Sequence, residues 1–218
     1  MPPQGPRELR VVVFVGPSLP PSARPDANGL IWYPPASRGD LDKLDLDPDV
    51  RVVLVDGYLI RQHPPSPTEV FELVARGHEV WGCSSLGALR AAELRNHGMN
   101  GFGWVYDRVV DRTITYDDEL VATLDPRTNE GTGLFLANVR FGLDQLVAAN
   151  QVTQPQARSI IDGLRAVHFE LRTSALCRDL AMSAGLTEPA IDHLLRSDVK
   201  RQDALALVRH LTTSVVAQ

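Results

Sequence analysis

The sequence predicts an α/β protein in which a small, mostly parallel β-sheet with flanking helices is followed by an α-helical carboxyl-terminal region. The apolar runs at residues 11–15 and 52–55 are continuous rather than alternating, as in strands that are covered on both faces. A third strand signal at residues 79–81 follows a helical pattern at residues 68–76, which Gly77 ends. Strand, helix and strand in this order predict a βαβ unit.

The carboxyl-terminal half carries a helical pattern instead. From about Gly131 onwards, apolar residues recur at a spacing of three to four. Residues 153–156 (TQPQ) form a capping box, which predicts the start of a helix. We therefore expect two domains, an α/β core at residues 1–125 and a helical region at residues 126–218.

Composition and charge exclude several classes of protein. A net charge of -5 disfavours a general binder of nucleic acid or of anionic membranes, since both need a cationic surface. The first residues lack a signal-peptide pattern, and no apolar run is long enough to span a bilayer, so we expect a cytoplasmic protein. The two cysteines, Cys83 and Cys177, lack metal-ligand spacing, and we expect neither a metal nor a cofactor.

Small and polar residues follow each of the three predicted strands. These segments are Gly16-Pro17-Ser18, Asp56-Gly57-Tyr58 and Cys83-Ser84-Ser85. The carboxyl ends of parallel strands meet at one edge of a sheet, where open α/β sheets place their ligands. The alternative is that these are turn residues without a further role. The coincidence of three such segments favours a binding site.

Ser85 lies where a strand turns into a helix, between the small residues Cys83 and Gly87. This pattern is typical of a nucleophile elbow, in which a serine hydroxyl stands exposed on a crowded turn. The backbone amides of Leu86 and Gly87 begin the next helix and are candidates to stabilise an oxyanion. The alternative is that Ser85 only caps this helix.

Five segments together resemble the TfuA family. They are GPSLP (16–20), PPASRGDL (34–41), DGY (56–58), ARGHEVWGCSSLGALRAAELRNHGMNGFG (75–103) and DDELVA (117–122). The resemblance implies an accessory protein that works with a YcaO enzyme to replace a peptide amide oxygen with sulfur. It also implies a serine–lysine site that hydrolyses the thiocarboxylate of a ThiS-like sulfur carrier, and assistance to YcaO in engaging its peptide. The family serine falls on Ser85 or, as the alternative, on Ser84.

The family lysine has no counterpart in the matching stretch, where Thr68 stands next to Glu69. The only lysines are Lys43, ahead of the second strand, and Lys200, in the helical half, and neither is expected to replace it. His63 lies just past the carboxyl end of the second strand and is the best substitute base by position. Without a base, the chain would be a non-catalytic adaptor that binds YcaO or its peptide.

Charged pairs supply further candidates for substrate or partner binding. Arg90 and Glu93 are three residues apart on the predicted helix, where they either pair locally or hold an anionic chain terminus. Asp117 and Asp118 are acids of the kind that ligate Mg²⁺, but such residues more often lie at a helix amino terminus. We therefore predict a binding role without a metal.

Residues 180–195 have spacings that are compatible with a helix-turn-helix, which makes a DNA-binding regulator a third hypothesis. Glu188 and Asp192 would lie on the recognition helix, where negative charge opposes contact with phosphates. An ordinary αα-hairpin with Gly185 at the end of its first helix is the favoured interpretation.

Overall fold

The sheet has five strands, all of them parallel. The computed structural model describes residues 10–47, 49–58, 63–121 and 133–213. The strands are β1 (Val11–Phe14), β2 (Leu30–Tyr33), β3 (Arg51–Leu54), β4 (Val80–Gly82) and β5 (Asn100–Gly101). The predicted parallel sheet is confirmed, and β2 and β5 are additions that the sequence patterns did not indicate. The expected transition at Gly131 lies outside the described residues.

The strand order is β2-β1-β3-β4-β5, which is a doubly wound arrangement. Val13 of β1 pairs with Trp32 of β2 on one side and with Val53 of β3 on the other. The chain leaves β1 toward one edge of the sheet, to β2, whereas β3, β4 and β5 extend toward the other edge. The winding changes direction between β1 and β3, and open α/β sheets place their ligands beyond the carboxyl ends of the strands at such a point.

Eight helices are present in the described part of the chain. They are α1 (Pro67–Ala75), α2 (Leu86–Leu94), α3 (Gly103–Val110), α4 (Leu136–Ala148), α5 (Gln154–Arg165), α6 (Ser174–Ser183), α7 (Glu188–Arg196) and α8 (Val199–Thr213). The predicted capping box is present, because the Thr153 side chain accepts from the Gln156 amide and the Gln156 side chain accepts from the Thr153 amide.

The two faces of the sheet are covered by different parts of the chain. Val12 and Phe14 of β1 lie in one apolar cluster with Val70 and Leu73 of α1. Val11 and Val13 point to the opposite face because successive side chains alternate along a strand, and there they meet one side of α8. That side consists of Ala204, Leu207, Val208 and Leu211. The last helix thus packs directly on the sheet.

Helices α4 to α7 bury a separate apolar cluster of their own, centred on residues such as Leu143 and Ile160. The division of the chain at residues 125 and 126 stays a prediction, since α8 follows this cluster in sequence but packs on the sheet. No helix in the described ranges is both long and apolar enough to cross a bilayer.

Helices α6 and α7 lie where the sequence predicted an αα-hairpin or, as the alternative, a helix-turn-helix. Gly185 follows α6 with a φ of 81°. Arg178 of α6 pairs with Glu188 and Asp192 of α7, at 2.6 and 3.3 Å. Both acids lie on α7, where negative charge opposes contact with a phosphate backbone, so the αα-hairpin stays the favoured interpretation.

Candidate active site

Asp56 joins the first two of the three polar segments. Its carboxylate accepts from the Gly16 amide at 2.9 Å and from the Ser18 amide and hydroxyl at 2.9 and 2.7 Å. Gly57 is needed beside it, because a Cβ there would come within 2.0 Å of the Leu86 side chain. The segments after β1, β3 and β4 therefore meet at one edge of the sheet, as the sequence predicted.

The turn between β4 and α2 is strained at Ser84, which has a φ of 63°. Two glycines allow the tight approach of strand and helix on either side of it. A Cβ on Gly82 would lie 2.1 Å from the Gly87 carbonyl oxygen, and one on Gly87 would lie 1.8 Å from the Leu54 carbonyl oxygen. The crowding residues are thus Gly82 and Gly87, rather than Cys83 and Gly87, and the apex of the elbow is Ser84.

Both serines are buried, with exposed fractions of 0% for Ser84 and 4% for Ser85. The expectation of an exposed Ser85 hydroxyl is therefore wrong in this conformation. The Ser85 side chain makes no capping hydrogen bond to α2, so the alternative role as a helix cap is also not seen. Its Oγ donates instead to the Leu120 carbonyl at 3.4 Å, whereas the Ser84 Oγ donates to the Lys200 carbonyl at 2.7 Å.

Lys200 of α8 reaches the same place from the far end of the chain. Its side chain is buried, and its Nζ donates to the Leu120 carbonyl at 2.7 Å. Ser85 Oγ lies 3.4 Å from the same oxygen. The separation of Ser85 Oγ and Lys200 Nζ is therefore at most the sum of 3.4 and 2.7 Å. This placement makes Lys200 a candidate base for Ser85, a role that the sequence did not lead us to expect.

Burial lowers the pKa of Lys200 from 10.5 to about 8. Asp56 and Asp198 act in the opposite direction, but no carboxylate in the described ranges lies within ion-pair distance of the ammonium group. The Nζ also lies 3.6 Å from the centroid of the Phe135 ring. With a pKa of about 8, about a tenth of the lysine is the neutral amine at pH 7 and about half is neutral at pH 8. The neutral amine is the form that accepts a proton.

A second buried polar residue fixes α8 at the site. Asp203, one turn after Lys200, accepts from the Trp104 and Val105 amides at 3.0 and 2.9 Å and so caps α3. Gly103 makes room for this carboxylate, since a Cβ there would lie 2.3 Å from it. Burial raises the pKa of Asp203 to about 6.

Sequence reasoning missed Lys200, although one signal was present. Lys200, Asp203, Ala204 and Leu207 recur at helical spacing and share the buried face of α8. A lysine on the mostly apolar, buried face of a helix has its charge where it lowers the stability of the fold, which points to a functional role. In a chain with only two lysines, that position is informative.

The Leu120 carbonyl is held by the acidic turn at Asp117–Glu119. Glu119 is buried and accepts two hydrogen bonds from the guanidinium of Arg140 on α4. Arg172, also buried, donates to the Asp118 carboxylate at 2.6 Å and to the Asp118 carbonyl at 2.9 Å. Asp117 is exposed. The described residues contain no group of side chains that could hold a metal ion.

Only one of the two expected oxyanion donors is available. The Gly87 amide donates to the Val55 carbonyl at 3.2 Å. The Leu86 amide makes no backbone hydrogen bond within the described part of the chain. Any negative charge that develops near Ser85 would therefore be met by the amide of Leu86.

The remaining candidates lie away from the two serines. His63 is exposed and makes no hydrogen bond to Ser85; its carbonyl accepts from the Arg38 amide. Thr68 is exposed in the first turn of α1. Arg90 donates to the Pro65 carbonyl and, at 2.8 Å, to Glu93, so this pair is a local ion pair in the structure.

Ser85 is a better candidate for the nucleophile than the nearby thiol. Cys83 is fully buried, and burial raises the pKa of its thiol, so the sulfur stays protonated and unreactive. A serine beside a neutral lysine can attack a carbonyl carbon, because the amine takes the hydroxyl proton. The arrangement therefore suits acyl transfer to Ser85 or hydrolysis through it.

Comparison with known proteins gives one match. The profile of the family described as TfuA-like protein matches residues 56–173, which include both serines and the acidic turn but not Lys200. A search of the curated proteins finds no match to the chain.

Proposed function

This chain belongs to the TfuA-like protein family, which takes part in YcaO-associated thioamidation, and we propose that it delivers sulfide for that reaction. The substrate is the thiocarboxylate at the carboxyl terminus of a ThiS-like sulfur carrier. Ser85 is the nucleophile and Lys200 the base. The YcaO enzyme, which modifies a peptide, receives the sulfide and is the second partner.

The placement of Lys200 supports this proposal most strongly. A buried lysine without an acidic partner destabilises the fold, because its charge is removed from water without compensation. Groups with pKa values shifted by burial are concentrated at functional sites. In this chain the Lys200 amine and the Ser85 hydroxyl contact the same carbonyl oxygen beside a strained turn. Hydrolysis through a serine requires the nucleophile and its base to lie close together in this way.

The reaction has two steps. Ser85 Oγ bonds to the thiocarboxylate carbon while its proton passes to the neutral Nζ of Lys200, and the Leu86 amide faces the oxyanion. The carbon–sulfur bond then breaks, and the sulfur leaves as hydrosulfide with the proton from Lys200. Water cleaves the resulting ester, again with Lys200 as base, and releases the carrier carboxylate. A positioned base of this kind contributes roughly 10²–10⁴-fold in rate.

The test follows the mass of a thiocarboxylated carrier and the release of sulfide. We expect the purified protein to convert the carrier to its carboxylate, and Ser85→Ala and Lys200→Met to reduce the rate by about a hundredfold or more. Ser84→Ala tests the alternative nucleophile and should keep the activity, because the Ser84 hydroxyl contacts the Lys200 carbonyl and not the amine. Conversion that is unchanged in both Ser85→Ala and Lys200→Met would contradict the mechanism.

The burial of both serines and of Lys200 favours a second candidate function, a non-catalytic adaptor that binds YcaO or its peptide. An adaptor would leave the carrier intact and would bind YcaO equally well with or without Ser85. Calorimetric titration of YcaO with the natural chain and with Ser85→Ala, alongside the carrier assay, separates the two functions.

A further inference from the structure

Ser85 and Lys200 converge on an oxygen that belongs to the protein itself. The Leu120 carbonyl lies 3.4 Å from Ser85 Oγ and 2.7 Å from Lys200 Nζ. Under the proposed mechanism, the carbonyl of an acyl substrate has to come within reach of these same two atoms. The internal carbonyl and the substrate carbonyl therefore cannot both be bound.

The chain around Leu120 closes the site. Leu120 is 1% exposed, and Ser85 and Lys200 beneath it are buried. A carrier terminus is a chain several atoms wide, and it cannot reach the side chain of a residue that is 4% exposed unless something moves. The acidic turn is the described segment that contacts both reactive side chains through its last carbonyl.

Two ion pairs hold this carbonyl in place from different directions. The buried Glu119 pairs in bidentate fashion with Arg140 on α4 and lies 3.9 Å from Arg165 on α5. Asp118 pairs at 2.6 Å with Arg172, whose Nε also donates to the Leu164 carbonyl at the end of α5. Charge-assisted pairs of this geometry are stronger than neutral hydrogen bonds. The helical region thus anchors the residues directly before Leu120.

We propose that the Leu120 carbonyl occupies the acyl-binding position of the site, and that the Asp118–Arg172 and Glu119–Arg140 pairs keep it there until a substrate carbonyl displaces it. This inference rests on the proposed function, because it assigns the place where the thiocarboxylate carbonyl binds. It also explains why a serine with a suitable base is buried. The closed form excludes water and other acyl compounds from a reactive pair.

Removal of one charge from either pair should open the site without changing Ser85, Lys200 or Leu120. Asp118→Asn and Glu119→Gln keep the side-chain shape and an acceptor oxygen but lose the charge. Asp42→Asn is the control, since Asp42 is an exposed acid outside the acidic turn and makes no ion pair with any described residue. Asp118 has a side chain that is 39% exposed, so its substitution is compatible with folding.

The probe is a small alkyl fluorophosphonate, which forms a bond from Ser85 Oγ to phosphorus and releases fluoride. Intact mass spectrometry gives the rate of labelling, and peptide mapping gives its position. We expect slow labelling of the natural chain and of Asp42→Asn. Asp118→Asn and Glu119→Gln should be labelled on the order of tenfold faster, because each loses part of one charge-assisted pair. Ser85→Ala should not be labelled.

Hydrogen exchange provides a second measurement that does not depend on the serine. The amides of residues 118–121 should exchange faster in Asp118→Asn and Glu119→Gln, while the strands of the sheet keep their protection. Equal labelling of all four proteins, or faster exchange throughout the sheet, would overturn the proposal.

The carrier assay then separates this inference from the proposed function. If labelling increases in the two variants but no protein converts the carrier, the result supports the Leu120 carbonyl as the group that occupies the acyl-binding position. It also contradicts the proposal that a thiocarboxylated carrier is the substrate. Full conversion by the natural chain, with no increase in labelling or exchange in the variants, supports the hydrolase and contradicts the displacement of Leu120.

Discussion

Replacement of Lys200 by methionine should remove a pH dependence of stability as well as the proposed activity. Burial lowers the pKa of the Lys200 ammonium from 10.5 to about 8. Each unit of pKa corresponds to about 1.4 kcal/mol, so the charged lysine costs the folded state roughly 3 kcal/mol. Methionine has a similar length and carries no charge, and it therefore avoids this cost.

The sign follows from which state binds the proton more tightly. The unfolded chain keeps the ordinary lysine pKa, so between about pH 8 and pH 10.5 it binds more protons than the folded chain. The free energy of unfolding should therefore rise with pH across this window. Above pH 10.5 the lysine is neutral in both states, and the folded protein has its full stability. This stability is lost as the pH falls through about 8, where the folded lysine takes up its proton. At pH 7 the natural protein bears the full cost.

The Lys200→Met variant should be more stable than the natural protein at pH 7, by less than the full 3 kcal/mol. The Leu120 carbonyl loses its strongest donor, and an unsatisfied buried acceptor costs roughly 1–3 kcal/mol. We expect a net gain of about 0–2 kcal/mol at pH 7. At pH 10.5 and above, the variant should be less stable than the natural chain, since only the lost hydrogen bond remains.

Urea unfolding at several pH values between 7 and 10.5 measures how the free energy of unfolding of the natural chain and of Lys200→Met depends on pH. Lys43→Met is the control, because the Lys43 side chain is 75% exposed and its substitution should leave the slope unchanged. Other groups that titrate in this range are common to all three proteins, so they cancel in the differences. A difference between the natural chain and Lys200→Met that stays constant with pH would refute the reasoning.

Three further substitutions, one of them with a control, test the packing at the site and in the helical region. Gly87→Ala should destabilise the protein by more than about 3 kcal/mol in urea unfolding, because its Cβ would meet the Leu54 carbonyl. Gly163→Ala is the control and should change the stability by no more than about 1 kcal/mol, since only the end of a flexible side chain lies near it. Asp203→Asn should flatten the pH dependence of stability between about pH 4 and pH 6. Burial raises the pKa of this carboxyl in the folded state from 3.8 to about 6. The stability that the protonated carboxyl contributes is therefore present below pH 3.8 and is lost as the pH rises through about 6. Thr153→Ala removes the capping box of α5 and should lower the thermal midpoint through a loss of about 1 kcal/mol, and an unchanged midpoint would show that this cap is not needed.

Local patterns predicted much of the framework correctly. The continuous valine runs of β1 and β3 and the capping box at Thr153 depend on residues close together in sequence, and each appears in the structure. Strand β5 could not be predicted, because Asn100–Gly101 has no strand propensity and exists as a strand only through its pairing with β4. The pattern of glycines and serines likewise identified the turn, but not which serine is its strained apex.

The sequence by itself determined the parallel sheet, the carboxyl edge where its polar turns meet, and the resemblance to one family. Only the tertiary structure decided that Lys200, far along the chain, lies beside Ser85, and that a backbone carbonyl covers both. The physical reason is that helix and strand signals arise from neighbours along the chain. The partner of a buried charge depends on which distant helix packs on the sheet.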